Sequence, residues 1–170
     1  MDHFESIVCT LLEFDGYWVR RGYKIKLTKE EKKRVERASM PRPEIDVLAF
    51  KPQANLIIAF EAKSYLDSLG VPLEEIKKTD KTPEGRYKMF TCESYRNLVL
   101  GSLQQDLIKK GMATNNTTIV LGLIAAKVHK AVKKPVRHAA PPYRRFAAIR
   151  AASIIYQRNA VHHAIKRDYD

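Results

Sequence analysis

Three charged side chains stand where charge is expensive. Glu61 and Lys63 close the run Leu56-Ile57-Ile58-Ala59-Phe60, five apolar residues in succession, with only Ala62 between them. In an extended strand residues i and i+2 share a face, so this carboxylate and this ammonium project together. Asp46 lies in an earlier stretch of strand character, Glu44-Ile45-Asp46-Val47-Leu48-Ala49-Phe50. The connection Lys51-Pro52-Gln53-Ala54-Asn55 is short, which predicts an antiparallel pair with Asp46 alongside Glu61. Glu-x-Lys begins at Glu30, Glu31, Glu61 and Glu75, but only at Glu61 does it follow an apolar run with an aspartate on a partner strand.

A salt bridge explains one acid and one base, and leaves the second carboxylate as costly uncompensated charge. A divalent cation removes that cost. Mg²⁺, or Mn²⁺ in its place, takes oxygen ligands, commonly one or two carboxylates completed by waters and substrate phosphate. Asp46, Glu61 and the backbone carbonyl of Ala62 can supply the protein's share. A bound metal acidifies water and offsets phosphate charge. Lys63 would stand beside that water as positioner, proton-transfer group or charge stabiliser, and the sequence leaves these roles open.

These residues need a frame. Phe4, Ile7, Val8, Leu11 and Leu12 recur at helical spacing over 3–15, and Gly16 ends the pattern. Residues 17–27 are aromatic and β-branched and read as a strand bulged at Gly22. Thr28 to Arg37 is dense in charge and reads as an exposed loop or short helix. After the two site strands, residues 64–90 hold Gly70, Pro72, Pro83, Gly85 and several lysines, a long surface excursion. A helix is expected from Glu93 to Lys110 and a buried strand over Thr117–Ala126, completing a β-α-β unit. Phe146, Ile149, Ser153, Tyr156, Ala160 and Ala164 suggest a last helix over 146–167. The order predicts an α/β fold with one mixed central sheet flanked by helices and a basic helical C-terminal region.

Charge divides the chain in the same way. The 170 residues carry a formal +12, of which residues 127–170 hold +9 and residues 1–126 only +3. Lys127, Lys130, Lys133, Lys134, Arg137, Arg144, Arg145 and Arg150 have the character of phosphate contacts, giving salt-sensitive affinity without base reading. Tyr143 and Phe146 among them could stack on unpaired bases. No apolar run reaches the roughly 18–20 residues of a membrane helix, and the acidic start Met1-Asp2-His3-Phe4-Glu5 is unlike a secretory signal. A cytoplasmic location is the simplest expectation. Cys9 and Cys92 are far apart and are expected as core thiols. His162 and His163 diverge by about 100° on a helix and do not suggest a metal site.

The pattern Pro43-Glu44-Ile45-Asp46, fourteen residues, then Glu61-Ala62-Lys63-Ser64-Tyr65 resembles the PD-(D/E)xK nuclease superfamily. The proline stands three residues before Asp46 rather than beside it. The resemblance spans about residues 3–126 and implies a restriction-endonuclease-like αβββαβ core over 1–126. Residues 127–170 would be a basic extension packed on the same domain. It implies Asp46, Glu61 and Lys63 as catalytic residues, with Glu5 of the first helix supporting the metal site and Glu13 as a weaker alternative. It also suggests a supporting role for Gln104 or Gln105, and a substrate contact for Tyr65. The implied activity is Mg²⁺- or Mn²⁺-dependent hydrolysis of DNA phosphodiester bonds, endo- or exonucleolytic, either structure-selective or in a repair, recombination or restriction setting. RNA stays open as a substrate, no membrane partner is expected, and a homodimer is allowed. Two rivals remain: a non-catalytic nucleic-acid-binding module on the same fold, and a structural salt-bridge network.

Overall fold

The computed structural model describes residues 3–65, 67–129 and 153–157. Helix α1 (His3–Phe14) leads into strand β1 (Trp18–Lys24), a short helix α2 (Lys29–Arg34), and strands β2 (Glu44–Lys51) and β3 (Leu56–Lys63). Two one-turn helices, α3 (Leu73–Ile76) and α4 (Lys88–Thr91), precede the long helix α5 (Glu93–Lys109), which delivers the chain to β4 (Thr118–Ala125) and β5 (Ser153–Gln157). The strands lie side by side in the order β1-β2-β3-β4-β5. β1, β2 and β3 pair antiparallel, β3 and β4 parallel, and β4 and β5 antiparallel. This is an α/β protein with a mixed sheet, and its first six principal elements follow the expected order. Among the described residues no helix is long and apolar enough to cross a membrane.

The unbroken apolar run of β3 has its explanation in two cores. Ile57 and Ala59 join Leu121 and Leu123 of β4 under Tyr95, Val99, Leu103 and Leu107 of α5. Ile58 and Phe60 join Val47, Ala49 and Ile124 on the other face, against Val8, Cys9 and Leu12 of α1. A strand covered on both faces has no polar position to spare. Each fully buried Leu, Ile or Phe contributes about 1.5–3 kcal/mol of transfer free energy. Cys9 and Cys92 are free and buried, as expected of core thiols.

β1 and β2 change faces together. Val19 packs toward α1 and Tyr23 toward α5, although they stand four positions apart, a spacing that keeps two side chains on one face of a regular strand. Likewise Ile45 and Leu48 share the α5 core, while Val47 and Ala49 face α1. The register is the same on both sides of the switch, running from Trp18↔Phe50 to Lys24↔Glu44 with no pair at Gly22 and Asp46. The expected bulge at Gly22 is therefore a kink without an inserted residue. Gly22 makes it at φ +61°, a conformation L-residues rarely adopt.

Two expectations need correction, and one open alternative is settled. Residues 64–90 are more than a surface excursion: Val71, Ile76, Met89 and Phe90 are buried and extend the α5 core. Their wide spacing among lysines and prolines hides them from a periodicity reading. Of the loop or short helix expected over Thr28–Arg37, the helix is present at Lys29–Arg34, begun by a capping box in which Thr28 Oγ1 accepts from the Glu31 amide and Glu31 accepts from the Thr28 amide. Finally, the helix expected over 146–167 is a strand at Ser153–Gln157. Ser-Ile-Ile-Tyr-Gln is a short β-branched run, and the exposed edge of β4 offers ladder partners that outweigh local helical spacing.

Candidate active site

β3 reaches the site fully paired on one side and unpaired on the other. Toward β4 the parallel ladder continues through Glu61↔Leu123 to Lys63↔Ala125. The Ala126 amide donates to the Lys63 carbonyl at 3.0 Å. Toward β2 the ladder ends at Val47↔Phe60, one pair short of Asp46 and Glu61. The Asp46 side chain substitutes for the missing backbone partner: its Oδ2 accepts the Ala62 amide at 2.8 Å. In an extended strand a residue's N–H and C=O point the same way. The Ala62 carbonyl therefore faces the same gap as the Asp46 carboxylate.

The three expected residues are brought together. Lys63 Nζ lies 3.0 Å from Glu61 Oε2 and 3.7 Å from Asp46 Oδ2. All three side chains are recessed, with relative exposures of 24% for Asp46, 15% for Glu61 and 21% for Lys63. One ammonium thus faces two carboxylates. Burial pushes the Glu61 carboxyl above the ordinary carboxylate range, even though Lys63 pulls the other way. Desolvation would lower the Lys63 ammonium, but Glu61 and Asp46 outweigh it, and the lysine is held charged above its usual range. In this arrangement Lys63 is a cation and a hydrogen-bond donor, not a neutral base.

The donor set fits a hard divalent cation. Asp46, Glu61 and the Ala62 carbonyl offer oxygens only, converge on one gap and carry more negative charge than Lys63 offsets. Among the described residues no group of three or more His, Cys, Asp and Glu side chains is arranged to hold a metal ion. The two-carboxylate site is consistent with a metal that keeps several waters or substrate oxygens.

Glu5 stands on a different element, helix α1. It is half-buried in the first turn of α1, which covers the opposite face from α5, and it acts on Cys9 one turn away. Among the charges that act on Glu61, Lys63 comes first, followed by Asp46 and Lys88. Gln104 is half-exposed on α5, nine residues beyond Tyr95 and so about 13 Å along the helix axis. Gln105 is exposed beside it. Lys127 is tied into the fold, its ammonium donating to the Ser68 carbonyl at 2.6 Å. Lys130, Lys133, Lys134, Arg137, Arg144, Arg145 and Arg150, with Tyr143 and Phe146, lie outside the described residues.

The structure adds neighbours that sequence reasoning missed. Buried Tyr95 of α5 stands near Glu61, and burial together with that carboxylate pushes its phenol up to about 12. Lys88 of α4 rides over the Tyr95 ring, 5.4 Å from its centroid. Tyr65, two residues past Lys63, turns the chain out of the strand at φ +41°. For a non-glycine residue such a conformation costs on the order of 1–2 kcal/mol. Its phenol loses hydration, yet hydrogen bonds from Tyr87 and Arg86 outweigh this and make it more acidic than an ordinary tyrosine. Burial and the same contact drive Tyr87 the other way, so Tyr87 keeps its proton and donates. The basic and aromatic sequence Arg86-Tyr87-Lys88 was the available signal, but nothing local joins it to β3 some twenty residues earlier.

No protein-family model matches the chain, and no match was found among curated proteins or solved structures.

Proposed function

We propose that the protein is a metal-dependent nuclease of restriction-endonuclease-like fold that hydrolyses DNA phosphodiester bonds. The observation carrying this reading is the excess of recessed carboxylate over ammonium where the β2–β3 ladder stops, with a backbone carbonyl turned to the same gap. A structural ion pair needs one acid; the second is retained at a desolvation cost that raises Glu61. Asp46, Glu61 and the Ala62 carbonyl would hold Mg²⁺ or Mn²⁺. When bound, the metal would acidify water and offset phosphate charge. Asp46 has a second task, since its bond to the Ala62 amide fixes the carboxylate and the β3 backbone relative to each other. Lys63 positions the nucleophilic water by donating to it and stabilises the negative charge that grows on the phosphate. The α-β-β-β-α-β order and the agreement of motif with geometry support the fold and superfamily assignment. The +12 charge supports a polyanionic substrate.

The test is a cleavage panel on the full chain. Supercoiled, linear, single-stranded, flap and four-way-junction DNA, with an RNA control, are incubated with Mg²⁺ or Mn²⁺ beside Lys63→Ala and Asp46→Asn. Metal-dependent cutting of at least one DNA, lost in both variants, is the expected result. Equal cutting by Lys63→Ala would overturn the assignment. Tight DNA binding with no cutting under any metal would leave a non-catalytic binding module.

A further inference from the structure

The segment 86–92 is built like a platform. Met89, Phe90, Thr91 and Cys92 are buried, and the Asp80 amide donates to the Thr91 carbonyl at 2.9 Å. Arg96 of α5 is 3% exposed, and its guanidinium donates to the carbonyls of Met89 and Phe90 at 3.3 and 3.0 Å. A buried arginine holding two backbone carbonyls fixes the chain just behind Arg86, Tyr87 and Lys88. Those three residues then return to the β3 end of the sheet, where Arg86 and Tyr87 meet Tyr65 and Lys88 acts on Glu61.

Arg86 is exposed, and among the described residues it pairs with no carboxylate. One edge of its guanidinium is held by a phenol, and the fork retains other donors to offer. Tyr65 is held in place by a left-handed backbone directly after the site. A strained tyrosine that engages an exposed arginine without a carboxylate partner, two residues before a lysine that acts on Glu61, has little structural purpose. It makes sense if an anion arrives there.

We propose that Arg86, oriented by Tyr65 and Tyr87, receives the backbone phosphate neighbouring the one cleaved, with Lys88 as a second cation on the same side. This rests on the nuclease reading and names its substrate contact. Arginine suits the task because its planar fork can take two phosphate oxygens at once, and phosphate contacts set the register of the strand over the site. Tyr65 is a positioning residue in this scheme, and so is Arg96.

The full chain is compared with Arg86→Ala, Arg86→Lys and Tyr65→Phe by fluorescence anisotropy on labelled single-stranded and junction DNA, without metal and over a range of salt. Arg86→Ala is expected to weaken binding roughly 5- to 10-fold near 0.1 M salt and to lower the slope of log affinity against log salt by about 1. Arg86→Lys should restore the slope but not the full affinity. Tyr65→Phe should lose part of the affinity with the slope unchanged. Mn²⁺ binding by calorimetry should be the same in all four proteins, and in cleavage Arg86→Ala should raise KM more than it lowers kcat. Unchanged affinity and slope in Arg86→Ala would overturn the contact while leaving the metal site and cleavage standing. If the wild type binds DNA but cuts none, the nuclease reading falls. A weaker, flatter salt response in Arg86→Ala would then still establish the phosphate contact.

Discussion

The two ends of the β2–β3 hairpin are made of the same strands and finished in opposite ways. At the turn, pairing runs to Lys51↔Leu56 and the polar groups find partners. Asn55 takes φ +45°, its amide donates to the Pro52 carbonyl, and its side chain both accepts from Thr117 Oγ1 at 2.8 Å and donates to the Asn116 carbonyl at 3.1 Å. At the far end pairing stops early, a side chain replaces a backbone partner, and two carboxylates share one ammonium. A closed end contributes stability and offers a ligand nothing. An unfinished end costs stability and leaves oxygen atoms for something else to satisfy.

The contrast can be broken from either end. The largest effects belong to chemistry at the open end: Asp46→Asn, Glu61→Gln and Lys63→Ala should each lower cleavage by about 10²–10³-fold or more, measured as single-turnover rates. The folded fraction should barely change in these variants. At the closed end Asn55→Ala should do the reverse. It should destabilise the fold by about 1–3 kcal/mol through lost hydrogen bonds and a left-handed residue without its side-chain partners, read as a urea midpoint. Cleavage per folded molecule should stay as in the wild type.

Smaller effects sharpen the comparison. Lys63→Ala removes the cation that shares Asp46 and Glu61, so Mn²⁺ should bind at least as tightly as in the wild type while cutting is lost; weaker binding would make Lys63 part of the metal site's scaffold. Glu61 is more easily protonated folded than unfolded. Whatever stability it lends is therefore present at acid pH and lost as pH rises through its raised value. Glu61→Gln should consequently be more stable than the wild type near neutral pH, by about 2–4 °C in Tm per kcal/mol gained, with the advantage gone by about pH 4. By the same burial, Mn²⁺ affinity should fall off on the acid side above the ordinary carboxylate range, as a calorimetric pH series would show.

What could be read from the sequence followed from local pattern. β2, β3, β4, α1 and α5 declare themselves by period or by unbroken apolarity, and Asp46, Glu61 and Lys63 by interrupting it. Arg86, Tyr87 and Lys88 did not, because their meaning depends on a chain return that no local signal encodes. Val71, Ile76, Met89 and Phe90 are spaced like loop residues and buried only because α5 and the sheet leave room for them. Ser153–Gln157 is a strand because β4 has an edge to fill, and that edge exists only once the sheet has formed. The capping box at Thr28 and Glu31 was fully local, and reading it would have fixed α2.

Val71 forms an isolated parallel bridge with Val128, with amides donating both from Val71 to the Lys127 carbonyl and from His129 to the Val71 carbonyl at 2.9 Å. Gly70 admits that approach, since a β-carbon there would lie 2.8 Å from the Lys127 carbonyl oxygen. The segment after the site is thereby pinned at its start by the bridge and at its end by Arg96. Between those pins the chain carries further anchors, the Asp80 amide on the Thr91 carbonyl at 2.9 Å and the Cys92 thiol on the Lys81 carbonyl at 3.6 Å. Exposed Gly85 has open space around it, but its φ of +69° holds the position to glycine. Residues 71–92 are thus a clasp fastened at several points, and whatever meets the end of β3 meets a surface already set.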